Sequence, residues 1–138
     1  MGTWDSGPFD NDTAADWCGD LDDADAAQRP AMVREALSRA AGEDGYLDAD
    51  IACEAIAAAA LVAAQRPGGQ RITSPYAPEF LCDGGRLDLP DELAVLAVRA
   101  LDRIMAADSE WCELWQDAAA GDNPAFDAVR DLRTVLTA

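Results

Sequence analysis

The chain has no histidine and no lysine. Its ten basic side chains are all arginine, set against 27 carboxylates, for a formal net charge of −17 over 138 residues. Without histidine there is no imidazole acid–base chemistry, no triad of the serine–histidine type and no histidine-ligated metal. Without lysine there is no Schiff base and no lysine to meet a nucleotide phosphate. So anionic a surface repels phosphate, and no direct nucleic-acid or membrane partner is expected. Long apolar runs are missing as well: the longest, Ala55 to Ala64, covers about half a bilayer span and reads as a buried helix. No basic segment followed by an apolar one opens the chain, so a cytoplasmic protein is expected. Gly2 with Ser6 fits an acylation pattern, but no second membrane signal accompanies it. Cys18, Cys53, Cys82 and Cys112 form no CxxC pair. They read as reduced, buried, small hydrophobes, and neither a metal nor a cofactor is expected.

What the chain does have is alanine, thirty residues of it, within a composition that is half apolar. Strand-favouring runs are scarce, so the expected fold is all-α: one domain, a bundle of five to six helices around a central alanine-rich helix. The first helix is expected from about Asp12 to Leu21, ending there because Asp20, Asp22, Asp23 and Asp25 would face the negative end of the helix dipole. Pro30 to Ala41 gives a second, with Val33, Ala36, Leu37 and Ala40 inward and a Glu35–Arg39 pair outward. Asp50 to Gln65 gives the third. Between Ile51 and Ala64 its only charge is Glu54, and a helix apolar on every face must be packed on several sides. An irregular stretch at about 66–90 follows, with a small hairpin suggested between 71–73 and 86–89. Pro90 to Ala107 reads as the fourth helix, buried through Leu93, Leu96, Ala97, Ala100, Leu101, Ile104 and Met105. A fifth starts after Asp108 or Ser109 and carries Trp111, Leu114 and Trp115. The last starts at Asn123-Pro124 and turns Phe126, Val129, Leu132 and Leu136 inward.

Several residues are candidates for a site. Phe9, Asp10, Asn11, Asp12 and Asp16 place oxygen side chains around one turn. They could gather a hard cation or a partner, but no EF-hand spacing is present, and a capping loop stapled by Phe9 is preferred. Glu54 could be an acid or base with a raised pKa; an ion pair with an arginine such as Arg66 or Arg99 is preferred. Trp111 and Trp115, at i,i+4, share one helix face. With Trp4 they are either core or exposed anchors for a partner, and for the helical pair core is preferred. The stretch holding Ile72, Tyr76, Glu79, Phe80, Leu81 and Asp83 could be a lid, but reads better as a strap over the core.

The opening Gly2-Thr3-Trp4-Asp5-Ser6-Gly7-Pro8-Phe9-Asp10-Asn11-Asp12, leading into a helix with Trp17, resembles the start of a bacterial family, domain of unknown function 4259. The resemblance continues through Ala58 to Gly68, Ala100 to Arg103 and Ser109 to Trp115, and so spans nearly the whole chain. Asp5 stands where that family usually has glycine, so no tight turn is assigned there. The resemblance implies no activity, cofactor or catalytic residue. The alanine and arginine bias is similar to that of proteins from GC-rich actinobacteria.

Two classes of function fit these residues. The first is a non-enzymatic interaction module for a basic protein partner, in the manner of immunity proteins, antitoxins or regulatory subunits, because a strongly anionic surface steers basic partners. The second is a small hydrolase-like enzyme working with carboxylates alone, for which a cleft uniting Asp10, Asp12, Asp16 and Glu54 would be needed. A homo-oligomer joined through the Trp111/Trp115 helix is a third reading.

Overall fold

A computed structural model describes residues 11–66, 89–118 and 124–137. Among these residues the secondary structure is six α-helices, with no sheet and with an isolated bridge between Leu47 and Ser109: α1 (Asp12–Asp23), α2 (Arg29–Ala41), α3 (Ala49–Ala64), α4 (Glu92–Ile104), α5 (Glu110–Ala118) and α6 (Pro124–Thr137). The all-α expectation holds. The suggested hairpin and the lid or strap fall on 67–88, outside the described residues apart from Leu89, which is in no strand.

The centre is α3. Every residue from Ala55 to Ala63 is buried, and α3 packs against each of the other five helices. Alanine makes this possible, because a methyl side chain lets neighbouring backbones approach from all sides without the entropy cost of ordering longer side chains. The surrounding helices meet α3 with larger residues. Val33 and Leu37 from α2, Leu93, Leu101 and Ile104 from α4, and Leu21 from α1 are all fully buried. The expected inner face of α2 is the observed one. On α4, Ala94 joins the buried set, while Leu96 and Met105 are only partly covered.

Two helix ends depart from expectation for identifiable reasons. α1 runs past Leu21 to Asp23, because Arg29 donates from Nε to the Leu21 carbonyl at 2.9 Å and from a terminal nitrogen to the Asp22 carbonyl at 3.0 Å. A guanidinium there offsets the negative dipole end and the aspartates that argued for an earlier stop. α4 ends at Ile104 rather than Ala107, because Arg103 draws the Ala107 and Asp108 carbonyls onto its guanidinium at 3.1 and 3.3 Å and so turns the chain.

Asp108 completes that turn with φ of 61°, a left-handed conformation costly for most side chains but open to glycine. Asp108→Gly is expected to leave stability unchanged or raise it by up to about 1 kcal/mol, and Asp108→Val to lower it by about 1–2 kcal/mol. Urea denaturation of the two variants measures the difference. An Asp108→Val protein as stable as the parent would show that the turn carries no conformational constraint.

Candidate functional site

Three segments meet at one end of the bundle: the connector 42–48 before α3, the turn 105–109 after α4, and α5. Leu47, fully buried, forms a parallel bridge with Ser109. Its N–H donates to the Asp108 carbonyl at 2.8 Å, and its carbonyl accepts from the Glu110 N–H at 2.9 Å. Ser109 is buried and caps α5, its hydroxyl oxygen accepting from the Cys112 N–H at 3.3 Å. Glu110 caps a different helix: its Oε1 accepts from the Ala49 N–H at 2.7 Å, where the residue before α3, Asp48, makes no side-chain cap. Arg103 ties the two connectors together. Its Nε donates to the Glu43 carbonyl at 2.9 Å and a terminal nitrogen donates to the Gly45 carbonyl, in addition to the Ala107 and Asp108 contacts.

This framework holds Tyr46 out from the connector toward α5, where its hydroxyl donates to Glu113 Oε2. That hydrogen bond, then desolvation, and then the charges of Glu113, Glu110 and Asp48 push the Tyr46 phenol up to about 12, so it stays a protonated donor at neutral pH. Tyr46, Glu110, Glu113, Leu114 and Gln116 line an open depression of about 390 Å³. Two of its lining residues are large hydrophobics left outside the core: Tyr46 is 50% exposed and Leu114 is 54% exposed.

Trp111 is buried, and its ring stands 6.3 Å from that of Trp115 and 5.7 Å from that of Phe126 in tilted arrangements. Trp115 is partly covered and packed on the same core. The tryptophan pair therefore anchors α5 to the bundle, and the large apolar residue that α5 exposes is Leu114. Asn11 caps α1, its side-chain oxygen accepting from the Ala14 N–H at 2.8 Å, as the capping reading expects. Asp12 and Asp16 lie exposed on α1. Trp4, Phe9 and Asp10 lie outside the described residues. Among the described residues, no group of three or more acidic or cysteine side chains is placed to hold a metal ion.

Glu54 pairs with Arg39 of α2 at 3.8 Å, not with Arg66, which sits 3.8 Å from Asp91. Arg39 thus reaches across to α3 rather than to Glu35 on its own helix. Burial raises the Glu54 pKa; Arg39 opposes this, and Asp50, Asp20 and Glu35 reinforce it. The carboxylates whose charge acts on Glu54 are thus Asp50, Asp20 and Glu35, while Asp12 and Asp16 are exposed on α1 and Asp10 lies outside the described residues. A carboxyl with a raised folded pKa favours the protonated native state. Its contribution is most favourable below the unfolded pKa and is lost as pH rises through the folded one. Glu54→Gln is therefore expected to gain stability relative to the parent between pH 4 and pH 7, read as the difference between denaturant midpoints at each pH. A difference that stays constant or falls over that range would rule this out.

Among the described residues the cysteine thiols are shifted toward the protonated form. Burial first, with nearby carboxylates, pushes the Cys18 and Cys53 thiols up to about 12 and raises that of Cys112. No helix among the described residues is long and apolar enough to cross a membrane.

No curated protein and no solved structure matches the chain. Residues 2–125 match the sequence profile of a family described as a domain of unknown function, DUF4259. This span takes in the capping residue Asn11, the central helix, Tyr46, Arg103 and the whole of α5. The chain belongs to the DUF4259 family.

Proposed function

We propose that this chain is a protein-interaction module for a basic protein partner and not an enzyme. The observation that carries the reading is how the arginines are used. Arg29 and Arg103 are spent on backbone carbonyls. Arg34, Arg39, Arg66, Arg130 and Arg133 sit on Glu92, Glu54, Asp91, Asp127 and Asp102. Seven of the eight arginines among the described residues are engaged in this way, Arg99 being the other, so on a chain whose net charge is −17 the charge left unpaired is mostly carboxylate. Such a field raises encounter rates with basic surfaces by about one to three decades and falls off with salt. A partner of the toxin, nuclease or other basic class meets this requirement, and the cytoplasm is the compartment the sequence suits.

The test is affinity capture from the native host at low and at high salt, followed by identification of the retained proteins. A basic protein retained at low salt and released at high salt is the expected result. Recovery of none, or of acidic proteins only, would overturn the proposal.

A further inference from the structure

We propose that the depression between the 42–48 connector and α5 is the docking site for an arginine-bearing segment of that basic partner. This rests on the interaction-module reading and adds the place and the side chain recognised. Of the large hydrophobics exposed among the described residues, Tyr46 and Leu114 line this one depression, while Val95 stands apart on α4. Glu110 and Glu113 line it with them, so an apolar platform and negative charge coincide.

The chemistry of the four residues matches a guanidinium better than an ammonium. A guanidinium is planar, weakly hydrated and able to stack on the exposed ring of Tyr46, while its fork of N–H donors meets a carboxylate. The methylene stem of the same side chain covers Leu114. Tyr46 uses one oxygen of Glu113, and an ionised carboxylate accepts at about four lone-pair sites, so Glu113 can hold the phenol and receive a guanidinium together. Glu110 is fixed by its bond to Ala49 and adds charge without needing to move. The site is pre-organised, because both walls hang on the Leu47–Ser109 bridge and the Arg103 contacts.

The experiment titrates the full chain, labelled for NMR, with two peptides of equal charge: Gly-Gly-Arg-Gly-Arg-Gly-Gly and its lysine counterpart. The arginine peptide is expected to bind at least threefold more tightly and to shift the amides of Tyr46, Glu113, Leu114 and Gln116. Tyr46→Ala and Leu114→Ala should each erase that preference, and Tyr46→Phe, which keeps the ring, should retain it. Thermal melts of the variants show whether the fold is intact. Equal affinities for the two peptides, with shifts spread over the acidic surface, would overturn the site while leaving the module reading standing. So would a preference that survives Tyr46→Ala in a folded protein. The module reading fails separately, through the salt-dependent capture described above.

Discussion

Replacing Arg103 with alanine is expected to lower the stability of the folded chain by about 3 kcal/mol, a large share of what a domain of this size has to lose. The guanidinium donates to the carbonyls of Glu43, Gly45, Ala107 and Asp108, two on each of the connectors it joins. Hydrogen bonds from a charged donor contribute about 1.5–3 kcal/mol each when shielded, and less where water competes, as it does for the outer contacts. Only the Nε bond to Glu43 is partly buried, so the sum stays well below four full contributions. Arg103→Lys is expected to recover little, because an ammonium on a flexible stem cannot meet carbonyls on two strands of chain with a fixed fork. In urea the midpoint should fall with the slope unchanged. The variant should also bind the arginine peptide less well, even though Arg103 is not among the residues lining the depression, because the connector that holds Tyr46 would be released. A loss below about 1 kcal/mol would mean that the Leu47–Ser109 bridge holds the two connectors unaided.

The parts of this structure that a linear reading reaches are those decided locally. A helix with one charge between Ile51 and Ala64 has no polar face to turn to water, so its central place follows from the residues alone. The inner face of α2 follows from helical spacing. What escapes a linear reading is decided between distant segments. Arg29 capping α1, Arg39 choosing Glu54 over Glu35, and Glu110 capping a helix 61 residues away all depend on how helices are laid side by side. The same holds for Tyr46, which sits among polar connector residues with nothing beside it to mark a site. Only one signal for the depression was available: Glu110, Glu113 and Leu114 fall at i, i+3 and i+4, the spacing of a shared helix face. Trp111 and Trp115, larger side chains on the same helix, form a second i,i+4 pair. Their i,i+4 spacing says that they point the same way, but not whether that way is inward. Tyr46 resolves it, because its bond to Glu113 marks the opposite, solvent-facing side of α5.

Leucine at any of Ala57, Ala58 or Ala59 is expected to destabilise the chain by about 3 kcal/mol, toward or beyond the upper end of ordinary overpacking. Successive residues of a helix point about 100° apart, so these three side chains sample most of its circumference. All three are fully buried, and other helices surround α3. On an amphipathic helix at least one of three consecutive positions would face water and tolerate the added methylenes. Here each would drive a leucine into the surrounding helices, which pack at close to crystal density and leave little room for added methylenes. Ala31→Leu on the exposed side of α2 is the control and should change stability by no more than about 0.5 kcal/mol. Denaturant midpoints for the four variants give the comparison directly. If one of the three interior substitutions matched the control, α3 would have an open face, and the bundle would be packed against one side of it rather than around it. Because α2, α4 and α5 all lean on α3, such a result would also remove the rigid backing that holds Leu114 and Tyr46 at the surface.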